Sequence, residues 1–158
     1  MMYHLVSPAD VLGQGATERS REMRLKDTTR IGDVTEMEVA TALVRAGRKL
    51  LRPVSAATRY DLVIDNEDGT FVRVQCKTGR LRDGRIEFRL YSVSGHNTRG
   101  VGYRGQVDAF GVYCPQTDRI YLVPVSAIAA CGALATLRVD PARNGQTRGV
   151  RHAAEFAI

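Results

Sequence analysis

Residues 59–77, RYDLVIDNEDGTFVRVQCK, constrain the fold more than any other stretch of this chain. Two runs of strand-forming residues flank Asn66-Glu-Asp-Gly69, and Asp-Gly in that setting signals a hairpin turn. Side chains alternate across a strand, so Val72, Val74 and Cys76 share a core-facing side. Phe71, Arg73, Gln75 and Lys77 share the other. Antiparallel pairing sets the start of the first strand beside the end of the second. Asp61 is thereby brought to Gln75 and Lys77, which lie roughly 6–7 Å apart along their strand. A carboxylate, an amide oxygen and an ammonium converge at one sheet edge. Taken alone, this pattern also suits a strand-end cap beside a solvated face.

The rest of the chain frames the hairpin. Residues 33–46 have helical periodicity, with Val34, Met37 and Val44 in one apolar row and Val39, Leu43 and Ala46 in the next. Gly47 is the expected stop. Asp33-x-x-Glu36 also reads as a capping box. Short strands are expected at 50–54 (interrupted by Pro53), 60–65, 70–78, 85–92, 107–114, 119–123 and 134–139. A Gly-, Ser- and Arg-containing loop fills 93–106, and short helices are expected at 126–131 and 150–156. One helix, mostly antiparallel strands and short helical pieces imply an α+β (mixed α/β) fold, one central sheet flanked by helices. Residues 1–29 read as a partly helical or loose extension, leaving 30–158 as the domain.

Charge points to a partner. The formal net charge is +6, with a pI of 9.6, so nucleic acid leads the candidates. Of the 23 basic residues only Lys26, Lys49 and Lys77 are lysines, which singles out Lys77 at the hairpin end. Arg80, Arg82, Arg85, Arg89, Arg99 and Arg104 follow it closely, opposed by Asp83 and Glu87. Such a segment suits phosphate contacts. A second basic cluster is Arg138, Arg143, Arg148 and Arg151. Apolar runs fall well short of the ~18 residues of a membrane span. Cys76, Cys114 and Cys131 are odd in number and widely spaced, which argues for buried free thiols rather than disulfides or a zinc site. His4, His96 and His152 are isolated. A reducing, cytoplasmic setting is expected.

The segments RYDLVID and FVRVQCKTG resemble the core of the PD-(D/E)XK nuclease superfamily. They are most similar to the group I intron homing endonuclease branch, which carries Gln-X-Lys. The resemblance extends to YRGQVDAFGVYCP (103–115), IYLVPV (120–125), LRVDP (137–141) and, upstream, RIGDVTE (30–36). Tyr60 stands where a proline is usual, and Thr35 replaces a glycine in the helix motif.

The resemblance implies catalytic roles for Glu36, Asp61, Gln75 and Lys77. It also implies a Mg²⁺ site, with Mn²⁺ as a substitute. Asp61, Gln75 and the Cys76 backbone carbonyl would be its ligands, and Glu36 an outer or second-metal ligand. Lys77 would position or deprotonate the attacking water, or stabilise developing charge, and a permanently protonated Arg could not act as a base there. Gln in place of Glu removes one negative charge from the site. The expected activity is cleavage of double-stranded DNA by a homodimer or homotetramer, prokaryotic or phage-encoded, with Arg80, Arg82, Arg85, Arg99 and Arg104 on the DNA. A junction-resolvase-like nuclease and a catalytically silent DNA-binding module are the rival expectations.

Overall fold

The computed structural model describes residues 28–55, 57–92, 101–103, 105–128, 132–140 and 150–158. The chain divides into two compact units, Met1–Ile31 and Gly32–Ile158. Residues 28–31, the described part of the first, form the opening turn of helix α1 (Thr28–Arg45). The expected extension over 1–29 otherwise lies outside the described residues.

Among the described residues ten strands follow: β1 (Lys49–Leu51), β2 (Leu62–Asp65), β3 (Phe71–Thr78), β4 (Arg80–Arg82), β5 (Arg85–Arg89), β6 (Tyr91–Ser92), β7 (Val101–Gly102), β8 (Ala109–Cys114), β9 (Arg119–Pro124) and β10 (Leu134–Arg138). Five form the main sheet, in the order β1-β2-β3-β8-β9. Only β3 and β8 run parallel, with Val74 opposite Ala109, and the other pairs are antiparallel. Arg73 holds that register. Its backbone N–H and guanidinium donate to both carboxylate oxygens of Asp108 at 2.8–2.9 Å, just before β8 begins. This forked pair also keeps the Asp108 carboxyl below its ordinary pKa.

Each face of the main sheet is covered. On one, Val39 and Leu43 of α1 pack with Leu62, Ile64, Val74, Cys76 and Ala109. On the other, Phe110, Val112, Cys114, Tyr121 and Val123 pack with Ile86, Phe88, Ala135 and Leu137. The last four belong to a second sheet, of order β10-β5-β4. A two-stranded ribbon, β6-β7, completes the set. The expected central mixed sheet is therefore present, and two smaller sheets accompany it.

Helix α1 corrects one expectation. Its buried row is Thr35, Val39 and Leu43, whereas Val34, Met37 and Val44 are 46%, 58% and 59% exposed. Two rows compete for the sheet, and the chosen one begins at a threonine whose hydroxyl bonds Thr78 Oγ1 at 2.7 Å. The helix starts at Thr28, so Asp33 lies inside it and the capping-box reading fails. Gly47 ends it as expected: φ is +77°, and the Gly47 and Arg48 N–H groups reach back to the Val44 and Leu43 carbonyls.

Closeness of α1 to the sheet depends on Gly111 in β8. A Cβ there would lie 2.5 Å from Val39 Cγ1 and 3.2 Å from Val74 Cγ1. Gly111→Val is expected to force α1 away and cost about 1–3 kcal/mol. Urea unfolding reads this, and an unchanged midpoint would contradict the packing.

Other boundaries shift for local reasons. The expected strand 85–92 divides at Leu90, whose N–H leaves for the Ala133 carbonyl at 3.0 Å, so β5 and β6 join different sheets. Strand β4 was not foreseen. The two expected late helices are the 3₁₀ turns Val125–Ala127 and Ala153–Phe156. Cys76 and Cys114 are buried free thiols, while Cys131 lies outside the described residues. No helix among the described residues is long and apolar enough to cross a membrane.

Candidate active site

The site forms where the β2–β3 ladder gives out. Pairing ends at Leu62 opposite Val74, and the Asp61 N–H makes a last bond to the Val74 carbonyl at 2.9 Å. Two residues further along β3, the Cys76 N–H has no strand residue of β2 opposite it. Asp61 supplies the acceptor instead, through Oδ2 at 2.7 Å. The Gln75 side chain donates Nε2–H to the same oxygen at 2.5 Å and reaches the Cys76 carbonyl at 3.4 Å. Alternation and the broken ladder together thus bring Asp61, Gln75 and the Cys76 backbone to one point.

Lys77 lies two residues beyond Gln75 on the same face of β3. Its Nζ donates to the Tyr103 hydroxyl at 2.8 Å and to the Tyr91 carbonyl at 3.3 Å, and lies 4.4 Å from the Tyr103 ring centroid. The Arg59 guanidinium also lies 4.4 Å from that centroid. It further bonds Gln106 Oε1, Ser92 Oγ and the Gly102 carbonyl, joining the β6–β7 ribbon to the start of the hairpin. Glu36 enters from α1 and pairs with Arg52 at 3.2 Å.

Burial sets the electrostatics. It raises the Asp61 pKa above its ordinary value, against the opposing pull of the Cys76 N–H, Lys77, Arg52 and Gln75. Glu36 is raised as well, first by burial and then by the charge of Asp61, while Arg52 offsets part. The two carboxylates therefore share one field. The Cys76 thiol is pushed far up, by burial and then by Asp61 and Glu36. That thiol stays neutral in the core, and only its backbone serves the site.

The donor set decides which metal fits. Among the described residues no three His, Cys, Asp or Glu side chains cluster to hold an ion. What the site offers is oxygen: the Asp61 carboxylate, the Cys76 carbonyl, the Gln75 amide oxygen once the amide turns over, and Glu36 nearby. The Asp61 and Cys76 oxygens already face one small donor, the Gln75 NH₂. A hard cation that keeps several waters fits such a set, and a zinc-like soft site does not.

Two contributors escaped the sequence reading. Arg52 follows a short strand, and Tyr103 lies at the edge of the glycine-rich loop, where neither has a periodic signal. Tyr103 is only 5% exposed and accepts the lysine hydrogen bond. Tyr103→Phe is expected to lower cleavage roughly 10–100-fold by loosening Lys77. Single-turnover rates at saturating DNA check this, and a wild-type rate would remove Tyr103 from the site.

The expected DNA-contacting arginines divide. Arg80, Arg82 and Arg85 are exposed on the second sheet, whereas Arg99 and Arg104 lie outside the described residues. Arg143 and Arg148 lie outside as well, as do His4 and His96. Arg151 donates to the Ala127 carbonyl, and His152 is exposed.

The fold is similar to that of a bacterial homing endonuclease, with a TM-score of 0.65 at 22% identity, over 83% of this chain and 88% of that one. No curated protein matches the chain. Residues 26–158 match the PD-(D/E)XK endonuclease family, a span that contains the helix, the hairpin and all three sheets. With its acidic residue at the start of one strand and Gln75-x-Lys77 on the next, the chain belongs to the PD-(D/E)XK endonucleases.

Proposed function

We propose that this endonuclease hydrolyses phosphodiester bonds of double-stranded DNA with Mg²⁺ as its cofactor, in the manner of a homing endonuclease. The observation that carries the reading is the meeting of the Asp61 carboxylate, the Gln75 amide and the Cys76 backbone, with Lys77 beside them. A bound cation would supply charge neutralisation at the phosphate and an acidified water. Asp61, Gln75 and the Cys76 carbonyl would hold it, with Glu36 as the outer carboxylate. Gln75 contributes no charge, so it adds nothing to the repulsion between Asp61 and Glu36.

The remaining work falls to the protein's own groups. Lys77, fixed by the Tyr103 hydroxyl and the Tyr91 carbonyl, presents its ammonium toward the reacting phosphate and orients the water. Arg52 limits the negative charge around Glu36. One such site cuts one strand, so cleavage of both strands calls for a homodimer or homotetramer.

Incubation of purified protein with plasmid, linear duplex and four-way junction, with Mg²⁺, Mn²⁺ or EDTA, tests the reading. Metal-dependent cutting of linear duplex is expected. Cutting confined to junctions would replace it with the resolvase reading. DNA binding without cutting of any substrate would leave the silent-module reading.

A further inference from the structure

We infer that the outer face of the β10-β5-β4 sheet tracks the phosphate backbone, with its centre at a row formed by Arg82, Arg85 and Arg138. The inference rests on duplex DNA being the substrate and names the surface that holds it. Strand register makes the row. Arg82 stands directly opposite Arg85 in β4–β5, and Arg85 directly opposite Arg138 in β10–β5. The intervening Leu81, Ile86 and Leu137 turn inward to the core. Residues directly opposite across strands share a face, so the three arginines lie abreast at roughly 4.8 Å per strand.

The composition of that face is lopsided. Its outward positions are Arg80, Arg82, Arg85, Glu87, Arg89, Leu134, Thr136 and Arg138, which gives five arginines against one carboxylate, a net of +4. Glu87 stands opposite Arg80 and Thr136, outside the arginine row. The nearby carboxylates Asp83 and Asp140 lie at the turn beyond the row. Among the described residues, the ion pairs are Lys49–Glu67, Arg52–Glu36 and Arg73–Asp108, so none involves a row arginine.

Like charges directly opposite one another destabilise a sheet. Three abreast, without carboxylate partners, are a cost that a polyanion removes. Arg82 and Arg85 are exposed and Arg138 is half-buried beside them; guanidiniums at this spacing suit two or three successive phosphates of one strand, contacts that position the protein and carry no base readout. The row depends on β10, far along the chain, so only the fold brings Arg138 to Arg82 and Arg85.

The test compares two triple variants with equal charge loss. One is Arg82→Gln, Arg85→Gln, Arg138→Gln. The control is Arg45→Gln, Arg48→Gln, Arg119→Gln, at exposed positions off this face. Affinity for a short fluorescent duplex is measured in EDTA across a salt series. The row variant is expected to bind roughly 10–100-fold more weakly at about 0.1 M salt, and its log K against log [salt] slope to shrink by about 2–3. The control is expected to lose less than about one unit of slope. Urea midpoints verify folding, and relief of cross-strand repulsion should leave the row variant at least as stable. Equal losses in both variants, or wild-type affinity in the row variant, would overturn the inference. Failure of the nuclease reading shows separately, as an absence of cleavage by the wild type.

Discussion

Asp61→Asn is expected to lower cleavage roughly 10³-fold or more while leaving the metal-free protein at least as stable as the wild type at neutral pH. The two effects share one cause. Burial already raises the Asp61 pKa, so its negative charge is held at a cost. Asn keeps an oxygen to accept the Cys76 N–H and the Gln75 amide, and removes the charge. The sign follows from linkage. A carboxyl with a raised folded pKa binds its proton more tightly in the native state than in the unfolded chain. Its contribution to stability is present at low pH and is lost as pH rises through the ordinary carboxylate range and above. The stability difference between Asn variant and wild type should therefore be small near pH 4 and grow toward pH 7.

Taking that difference also isolates Asp61 from opposing groups. Asp108, lowered by Arg73, contributes stability that is lost as pH falls, and it is common to both proteins. Urea unfolding in EDTA at several pH values supplies the comparison. A variant less stable than wild type at neutral pH would show that burial is not what governs Asp61, and wild-type cleavage would remove Asp61 from the site.

Lys77→Met should lower single-turnover cleavage roughly 10³–10⁴-fold and leave duplex affinity within about threefold. Methionine fills the volume of the stem beside Tyr103 and offers no donor to the Tyr103 hydroxyl or the Tyr91 carbonyl. Lys77→Arg separates two roles. It restores the charge but not a group that can accept a proton from water. Recovery in the Arg variant would assign Lys77 to charge stabilisation, whereas an Arg variant as slow as Met would assign it to handling the proton. Full activity in the Met variant would refute any role for Lys77 in the reaction.

How much of this was readable beforehand depended on whether the information was local. The hairpin was legible because its turn residues and its alternation agree over one short stretch, and the turn does close, with the Asn66 N–H on the Thr70 carbonyl. Gly47 was legible for the same reason. The helix face was not. Two apolar rows lay side by side, and the deciding contact was Thr35 with Thr78, a pair of hydroxyls 43 residues apart. Strand β4 has one inward residue, Leu81, too few for a pattern. The place of β10 beside β5 is a long-range pairing with no local mark.

The same division runs through the site. Asp61, Gln75 and Lys77 could be grouped from the sequence because the hairpin itself juxtaposes them, with family resemblance adding weight. Tyr103 and Arg52 were missed because tertiary packing delivers them from elsewhere. The forked Arg73–Asp108 pair, which sets the one parallel register, was likewise invisible until β8 lay beside β3.

The Asp61 carboxylate on the Cys76 N–H has a use in spectroscopy. Most amides of β3 face carbonyls, whose charge never changes, but this one faces a group that titrates and is proposed to bind a cation. Its nitrogen and proton frequencies therefore report the occupancy of a single oxygen at the heart of the site. Solvent exchange of this one proton follows local fraying at the mouth of the hairpin rather than global unfolding, because no β2 carbonyl protects it. One resonance, that of Cys76, can follow protonation, cation capture and opening of the site without any label placed in it.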